Sequence, residues 1–191
     1  PRSHPGHFTA LHKEIAGWFN DQYQMLEITP TNINSDGIYT LTTYESQAPG
    51  IKAIKIPRSA HGKAWYLEFR QPVGFDSTLI SGPDSDGNVA DPFNGVLIHT
   101  NDPSAYTDSL LIDLSPQDFS WASANLKTDT TYPPTGEAGF YDPVDKINVQ
   151  LLDLTLNSQN LAESTARVKI VFNGGAVEPP ADTQVPTPPR N

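Results

Sequence analysis

The chain has 191 residues and a formal net charge of −10 at pH 7, and it contains no cysteine. An acidic surface repels phosphate backbones and anionic lipid, so the charge argues against nucleic acid or a membrane as a partner. The absence of cysteine excludes disulfides, thiol catalysis and zinc sites built from cysteine. With 18 prolines, 13 glycines and only 18% charged residues, the composition favours short strands and turns.

The first predicted element is a short helix near the N-terminus. Thr9 is a residue type that caps helices, and the helix predicted after it spans residues 10–16. Its apolar residues Leu11 and Ile15 are four positions apart and therefore share a face. A glycine then supplies the backbone conformation that ends many helices. We predict that residues 1–20 form an N-terminal segment with this single helix.

Eight strands are predicted after the helix, because short runs of alternating or continuous apolar residues recur between turn-forming residues. These runs cover residues 24–29, 38–44, 51–56, 63–70, 95–100, 109–113, 147–156 and 165–172. Loops rich in Gly, Pro, Asp and Asn separate them. This pattern predicts a mainly β fold over residues 21–175, an antiparallel β-sandwich or a jelly-roll-like arrangement.

The C-terminal residues differ in composition from the rest of the chain. Five of the fourteen residues in 178–191 are proline, and few of the others are apolar. Such a segment cannot bury a core and favours an extended, semi-rigid conformation. We therefore predict that residues 176–191 are a proline-rich linker.

The fourth predicted strand carries the most informative pattern. Trp65, Leu67 and Phe69 alternate on one face and are predicted to lie in the core. Glu68 and Arg70 share the opposite face, two residues apart. A salt-bridged structural pair explains Glu68 better than a catalytic role does.

Alternating oxygen-bearing side chains suggest one cation site. Asp84, Asp86, Asn88 and Asp91 surround a glycine turn, which is a spacing that brings hard oxygen donors together for Ca²⁺. The order resembles the first positions of an EF-hand loop. The glycine and glutamate of that loop are missing at the sixth and twelfth positions, so a solvated acidic turn is the alternative.

No residue set predicts a complete active site, so we assign no catalytic residue. His4, His7 and His12 lie close together in the sequence but lack the H-E-x-x-H spacing of a zinc helix. The G-x-S-x-G signature of serine hydrolases is also absent. His99 lies in an apolar strand, where a hydrogen-bonded structural histidine is the simpler interpretation.

Three aromatic residues in predicted loops raise a second possible function. Trp121, Tyr106 and Tyr132 could stack on sugar rings, which would suit a carbohydrate-binding module whose loop is braced by calcium. Packing of these rings against the ends of the sandwich is the alternative. The sequence leaves both interpretations open.

Two motifs together resemble a known family. Residues 7–18, H-F-T-A-L-H-K-E-I-A-G-W, resemble the H-F-x-A-x-x-K-E-x-x-G-W helix that ends the catalytic domain of gametolysin-like secreted zinc peptidases. Residues 65–76, W-Y-L-E-F-R-Q-P-V-G-F-D, resemble the Y-x-L-E-Y-R-x-x-x-G-F-D signature of the β domain that follows it. Residues 95–99, 110–113 and 140–143 then come in the order that this family shows.

The resemblance implies a secreted, bacterial, multidomain zinc metalloendopeptidase. Its H-E-x-x-H helix would precede residue 1, so no zinc ligand or catalytic glutamate is carried over to this chain, and zinc is expected only in that absent domain. Residues 1–20 would be the tail of the peptidase domain. The chain itself is expected to be a non-catalytic accessory domain, either structural or substrate-presenting.

The expected partners follow from the same resemblance. One is the protease domain of the same parent chain, which would contact the face formed by Leu11, Ile15 and Trp18. Another is a protein or glycan substrate held near the cleft of that domain. Calcium in the acidic turn is the only cofactor expected on the chain itself.

Overall fold

The computed structural model describes residues 8–19, 24–59, 63–78, 82–83, 89–102, 105–115, 124–132 and 137–172. Within these residues the fold is mainly β, with one short α-helix and two turns of 3₁₀ helix at Gly74–Thr78 and Leu161–Glu163. The regular elements are α1 (Ala10–Ile15), β1 (Met25–Glu27), β2 (Ile38–Thr42), β3 (Ala53–Pro57), β4 (Ala64–Glu68), β5 (Gly82–Pro83), β6 (Val89–Ala90), β7 (Leu97–Asp102), β8 (Ala105–Leu111), β9 (Thr131–Tyr132), β10 (Glu137–Ala138), β11 (Phe140–Asp142), β12 (Ile147–Thr155) and β13 (Thr165–Val171).

Two sheets carry most of the strands. One has five strands in the order β1-β3-β4-β7-β8, and the other has four in the order β11-β12-β13-β2. Every neighbouring pair in these two sheets is antiparallel except β1 with β3. The mainly β, antiparallel-rich fold with one short helix is therefore as predicted. Each of the eight predicted strands overlaps an observed one, while the short strands β5, β6, β9, β10 and β11 were missed.

The main core contains the inward faces of both sheets. Val149 pairs with Ile170, and Leu151 pairs with Val168, so that alternate residues of β12 and β13 point to the same side. All four are buried together with residues of the five-stranded sheet. Across the core, the rings of Trp65 and Phe140 meet edge to face with centroids 4.9 Å apart.

A second cluster lies on the outer face of the five-stranded sheet, beneath α1. Its buried members are Ala10, Leu11, Tyr44, Ala53, Ala64 and Tyr66. Strand β4 is consequently buried along its whole length on both faces. The helix thus covers the sheet much as a third layer would, and it shares a core with that sheet.

The predicted helix face for the protease partner was wrong in one respect. Leu11 is buried against its own sheet, whereas Ile15 and Trp18 are 57% and 47% exposed. The helix also ends at Ile15, one residue earlier than predicted. Gly17 follows with φ +67°, the left-handed conformation expected after the helix. The predicted domain limits stay predictions, and the linker at 176–191 lies outside the described residues.

Replacing Gly139 with alanine tests how tightly β12 packs beside β11. Gly139 has φ +90°, and a Cβ atom there would collide with the carbonyl oxygen of Val149. Gly17 has a similar φ of +67° but nothing within 4 Å. Left-handed strain alone costs about 1–2 kcal/mol, so Gly17→Ala should lower the free energy of unfolding by about that much. Gly139→Ala should lose a further 1–3 kcal/mol or so from overpacking. If urea unfolding showed equal losses of stability for the two variants, the close packing of Gly139 against Val149 would be contradicted.

Candidate functional site

Four ionisable side chains are buried on the outer face of the five-stranded sheet. Glu68 and Asp76 are fully buried, and Arg70 and His99 are 4% and 6% exposed. Arg70 Nη2 lies 2.7 Å from Glu68 Oε2, and Arg70 Nη1 lies 2.9 Å from Asp76 Oδ1. The predicted pairing of Glu68 with Arg70 is confirmed. Isolated buried charges are very costly, so Glu68, Arg70 and Asp76 must keep their ion-pair distances for the fold to be stable.

These buried charges hold the start of α1. The backbone N–H of Ala10 donates to Glu68 Oε1 over 2.5 Å, and Arg70 Nη2 and the Tyr44 hydroxyl both donate to the carbonyl oxygen of Phe8. Helix N-termini leave backbone N–H groups without an intrahelical acceptor. Thr9 makes no capping hydrogen bond, and its hydroxyl pairs with Nδ1 of His12 instead. The role predicted for Thr9 is therefore taken by Glu68, from a distant strand.

The body of α1 is held by two further ion pairs. Lys13 Nζ lies 2.6 Å from Glu45 Oε1, and Lys55 Nζ lies 2.6 Å from Glu14 Oε1. The Tyr66 hydroxyl donates to the other oxygen of Glu14 over 2.7 Å. We call the seven charged residues that fix the helix to the sheet the helix clamp: Lys13, Glu14, Glu45, Lys55, Glu68, Arg70 and Asp76.

The protonation states fit a structural role. Burial raises the pKa of Glu68, but the Arg70 guanidinium, His99 and the Ala10 N–H together outweigh burial, so the pKa lies below its ordinary value. Burial lowers the pKa of His99 and raises that of Tyr44. At neutral pH, Glu68 is therefore an anion, while the imidazole and the phenol are neutral. The buried position predicted for His99 is confirmed. Its Nδ1 is 3.6 Å from Glu68 Oε1 and makes no hydrogen bond to any described residue.

Asp142 provides a polar link between the two sheets. The Trp65 indole N–H donates to Asp142 Oδ2 over 2.9 Å, and Arg58 Nε lies 2.8 Å from the same oxygen. Trp65 belongs to β4 and Asp142 to β11, so this carboxylate joins opposite layers. The guanidinium of Arg58 also stacks over the Trp65 ring at 4.4 Å.

A cleft of about 780 Å³ opens beside the helix clamp. Its lining residues are Lys13, Trp18, Phe19, Gln24, Tyr44, Glu45, Ser46, Gln47, Ala48, Pro49, Gly50, Lys52 and Phe75. Lys52 is 6% exposed and donates to Ser46 Oγ over 2.9 Å and to the carbonyl oxygen of Thr43 over 3.2 Å. Burial, and then the charge of Lys13, lower its pKa from 10.5 to about 8.

Sequence reasoning missed Lys52, although a signal for it was present. Lys52, Ile54 and Ile56 occupy every second position of the third predicted strand, so the lysine shares a face with two apolar residues. Glu45 and Tyr44 carried no comparable signal. They act through contacts with α1, which is more than thirty residues away in sequence.

The residues predicted to bind ligands are mostly outside the described part of the chain. This is so for Asp84, Asp86, Asn88 and Trp121, and for the side chains of Tyr106 and Tyr132. Tyr106 lies in β8 and Tyr132 in β9, so the backbone places them in strands and not in loops.

Asp91 is the one predicted calcium ligand whose side chain is described. Its Oδ2 accepts a hydrogen bond from the Asn94 side-chain amide over 2.7 Å, and its Oδ1 accepts one from the Phe93 backbone N–H over 3.4 Å. These contacts stabilise its own turn. Among the described residues, no group of three or more His, Asp or Glu side chains could hold a metal ion. Calcium at Asp84–Asp91 stays a prediction.

Comparisons with protein-family models, with curated proteins and with solved structures each give no match. Within the described residues, no helix has the length and apolar character needed to cross a membrane. The geometry of the helix clamp and of the cleft is therefore the basis for any functional proposal.

Substitution of Arg70 tests the helix clamp. Arg70→Met would remove the guanidinium that pairs with buried Glu68 and Asp76, and breaking a buried ion pair costs about 3–5 kcal/mol. Arg167 provides the matched control, because it pairs with Asp153 at 2.8 Å while both side chains are more than 40% exposed. Arg167→Met should cost less than about 1 kcal/mol. If the two variants lost similar amounts of unfolding free energy in denaturant, the stabilising role of the helix clamp would be refuted.

The lowered pKa of Lys52 predicts how the stability of the chain changes with pH. Its pKa of about 8 is lower than the 10.5 of the unfolded chain, so the unfolded chain binds more protons in this window. The free energy of unfolding should therefore rise with pH from about 8 to 10.5 in the wild type, relative to Lys52→Met. The difference between the two proteins should change by something on the order of 3 kcal/mol. Lys169→Met is the control for net charge, and a flat difference curve for Lys52→Met would contradict the burial of this ammonium.

Proposed function

We propose that the chain is a non-catalytic accessory domain of a secreted, multidomain zinc metallopeptidase, with a structural or substrate-presenting role. One observation carries the proposal. The two motifs that resemble this family bind each other in the fold, since Glu68 and Arg70 of the second motif hydrogen-bond to Ala10 and Phe8 of the first. Asp76, also of the second motif, pairs with Arg70. Two segments that are far apart in sequence thus act as one junction.

The junction suits a domain that is fixed rigidly to a neighbour. A six-residue helix is too short to be stable alone, and the helix clamp gives it a single position on the sheet. Whatever part of a parent protein leads into Phe8 would then have a defined orientation relative to the sandwich. Rigid attachment is what a structural or substrate-presenting domain requires.

An apolar surface beside the junction supports the same role. Phe8 and Ile15 are 54% and 57% exposed, and the ring of Phe8 meets that of Trp18 edge to face at 5.4 Å. Exposed aromatic groups of this kind are typical of interaction sites. The protease domain of the parent chain is the partner that we assign to this surface.

The buried position of the charged residues also favours a non-catalytic role. Glu68 and Asp76 are inaccessible, and Arg70 satisfies both of them. A general acid or base must reach its substrate within hydrogen-bond distance. We therefore place proteolysis, and its zinc ion, in the peptidase domain of the parent protein.

The proposal is tested in the parent protein. Its coding sequence should specify an H-E-x-x-H helix ahead of residue 1. In that protein, Ile15→Ser should lower the stability by about 2–3 kcal/mol, because it removes a buried interface side chain. The 191-residue chain alone should lose little, since Ile15 is exposed there.

Val144 supplies the control for this test. It is 65% exposed and lies between β11 and β12 of the four-stranded sheet. Val144→Ser should leave both proteins unchanged in thermal unfolding. A parent sequence without H-E-x-x-H, or an Ile15→Ser parent as stable as the Val144→Ser parent, would overturn the proposal.

A further inference from the structure

The cleft beside the helix clamp carries a net positive charge. Its charged lining residues are Lys13, Glu45 and Lys52, so two cations and one anion leave a net charge of +1. Glu45 is held 2.6 Å from Lys13, which neutralises that pair. Lys52 is the second cation of the cleft, and the charge of Glu45 also acts on it, in a chain whose overall charge is −10.

The partners of Lys52 are neutral. An ammonium has three N–H donors, and within the described residues Lys52 uses two of them, toward Ser46 Oγ and the Thr43 carbonyl oxygen. No described carboxylate forms a salt bridge with it. Burying an ammonium that has no salt-bridge partner reduces stability, and a buried charge of this kind at a cleft is a candidate for a functional group.

The walls of the cleft are aromatic. Trp18 and Phe75 line it and remain largely exposed, and Phe19 and Tyr44 lie beside them. A buried cation with a neighbouring hydroxyl, surrounded by aromatic side chains, matches a ligand that has a carboxylate next to an apolar group. The volume of about 780 Å³ is within the range of small-ligand sites.

We propose that this cleft binds a peptide carboxylate that lies next to an apolar side chain, with Lys52 and Ser46 holding the carboxylate and Trp18 and Phe75 contacting the apolar side chain. A single cation and one hydroxyl suit a monoanion. Phosphate recognition generally uses several cationic or backbone N–H donors. The proposal goes beyond the accessory role and does not depend on the metallopeptidase assignment.

The test uses three small peptides and the 191-residue chain. Acetyl-Ala-Phe carries a C-terminal carboxylate, acetyl-Ala-Phe-amide carries none, and acetyl-Asp-Phe-amide carries a side-chain carboxylate. Affinity is measured by NMR titration of the Trp18 indole N–H signal. At least one carboxylate peptide should bind about tenfold or more tightly than the neutral amide, as a charge-assisted hydrogen bond implies.

Two variants locate the site. Lys52→Gln should lower the affinity for the carboxylate peptide about tenfold. Lys169→Gln removes the same charge from the four-stranded sheet and should leave affinity within twofold. The two carboxylate peptides identify the source: tighter binding of acetyl-Ala-Phe indicates a peptide C-terminus, and tighter binding of acetyl-Asp-Phe-amide indicates an acidic side chain. Equal affinity of all three peptides, or an unchanged affinity in Lys52→Gln, would overturn the proposal.

A second measurement covers the case in which Lys52→Gln does not fold. The pKa of Lys52 is followed in the wild type through the NMR signal of its Cε atom. A bound carboxylate should raise this pKa from about 8, and affinity should fall as the pH rises above that value. A pKa that stays the same with saturating peptide would also overturn the assignment of Lys52.

Discussion

The guanidinium of Arg70 is the group on which the outer layer of this domain depends. It lies between Glu68 and Asp76, neither of which is accessible to solvent. Without the guanidinium, both carboxylates would lose the cation that pairs with them in a medium of low polarity. With it, Glu68 remains ionised and its second carboxylate oxygen is available to the Ala10 N–H. One ion-paired arrangement therefore satisfies the buried charges and caps a helix at the same time.

The position of the helix explains the rest of the surface. Because α1 is fixed by the helix clamp, Leu11 is directed into the second core cluster, while Ile15 and Trp18 remain exposed. The chain that follows α1 then borders the cleft that contains Lys52. The packing of α1 on the sheet therefore creates both the apolar junction and the cationic cleft, and the two lie next to each other. This proximity connects the accessory role that we propose with a peptide-binding cleft.

The sequence predicted the strands well where alternation runs for five or more residues. The pair β12 and β13 shows this, since Val149 and Ile170 meet as their inward positions require. Most strands of two or three residues, such as β9 and β11, are too short to show repeated alternation and were not predicted. The Glu68–Arg70 pair was predictable because both residues belong to one strand. Its contacts to Phe8 and Ala10 were not, since they join segments about sixty residues apart.

Amide hydrogen exchange of the intact chain tests the central claim most directly. The Ala10 N–H lies at the first position of a six-residue helix, where an ordinary helix end would exchange rapidly. If Glu68 holds this proton, it should exchange as slowly as the amides of β4, and only through global unfolding. Rapid exchange of Ala10 while β4 stays protected would show that the helix is not held by the buried charges.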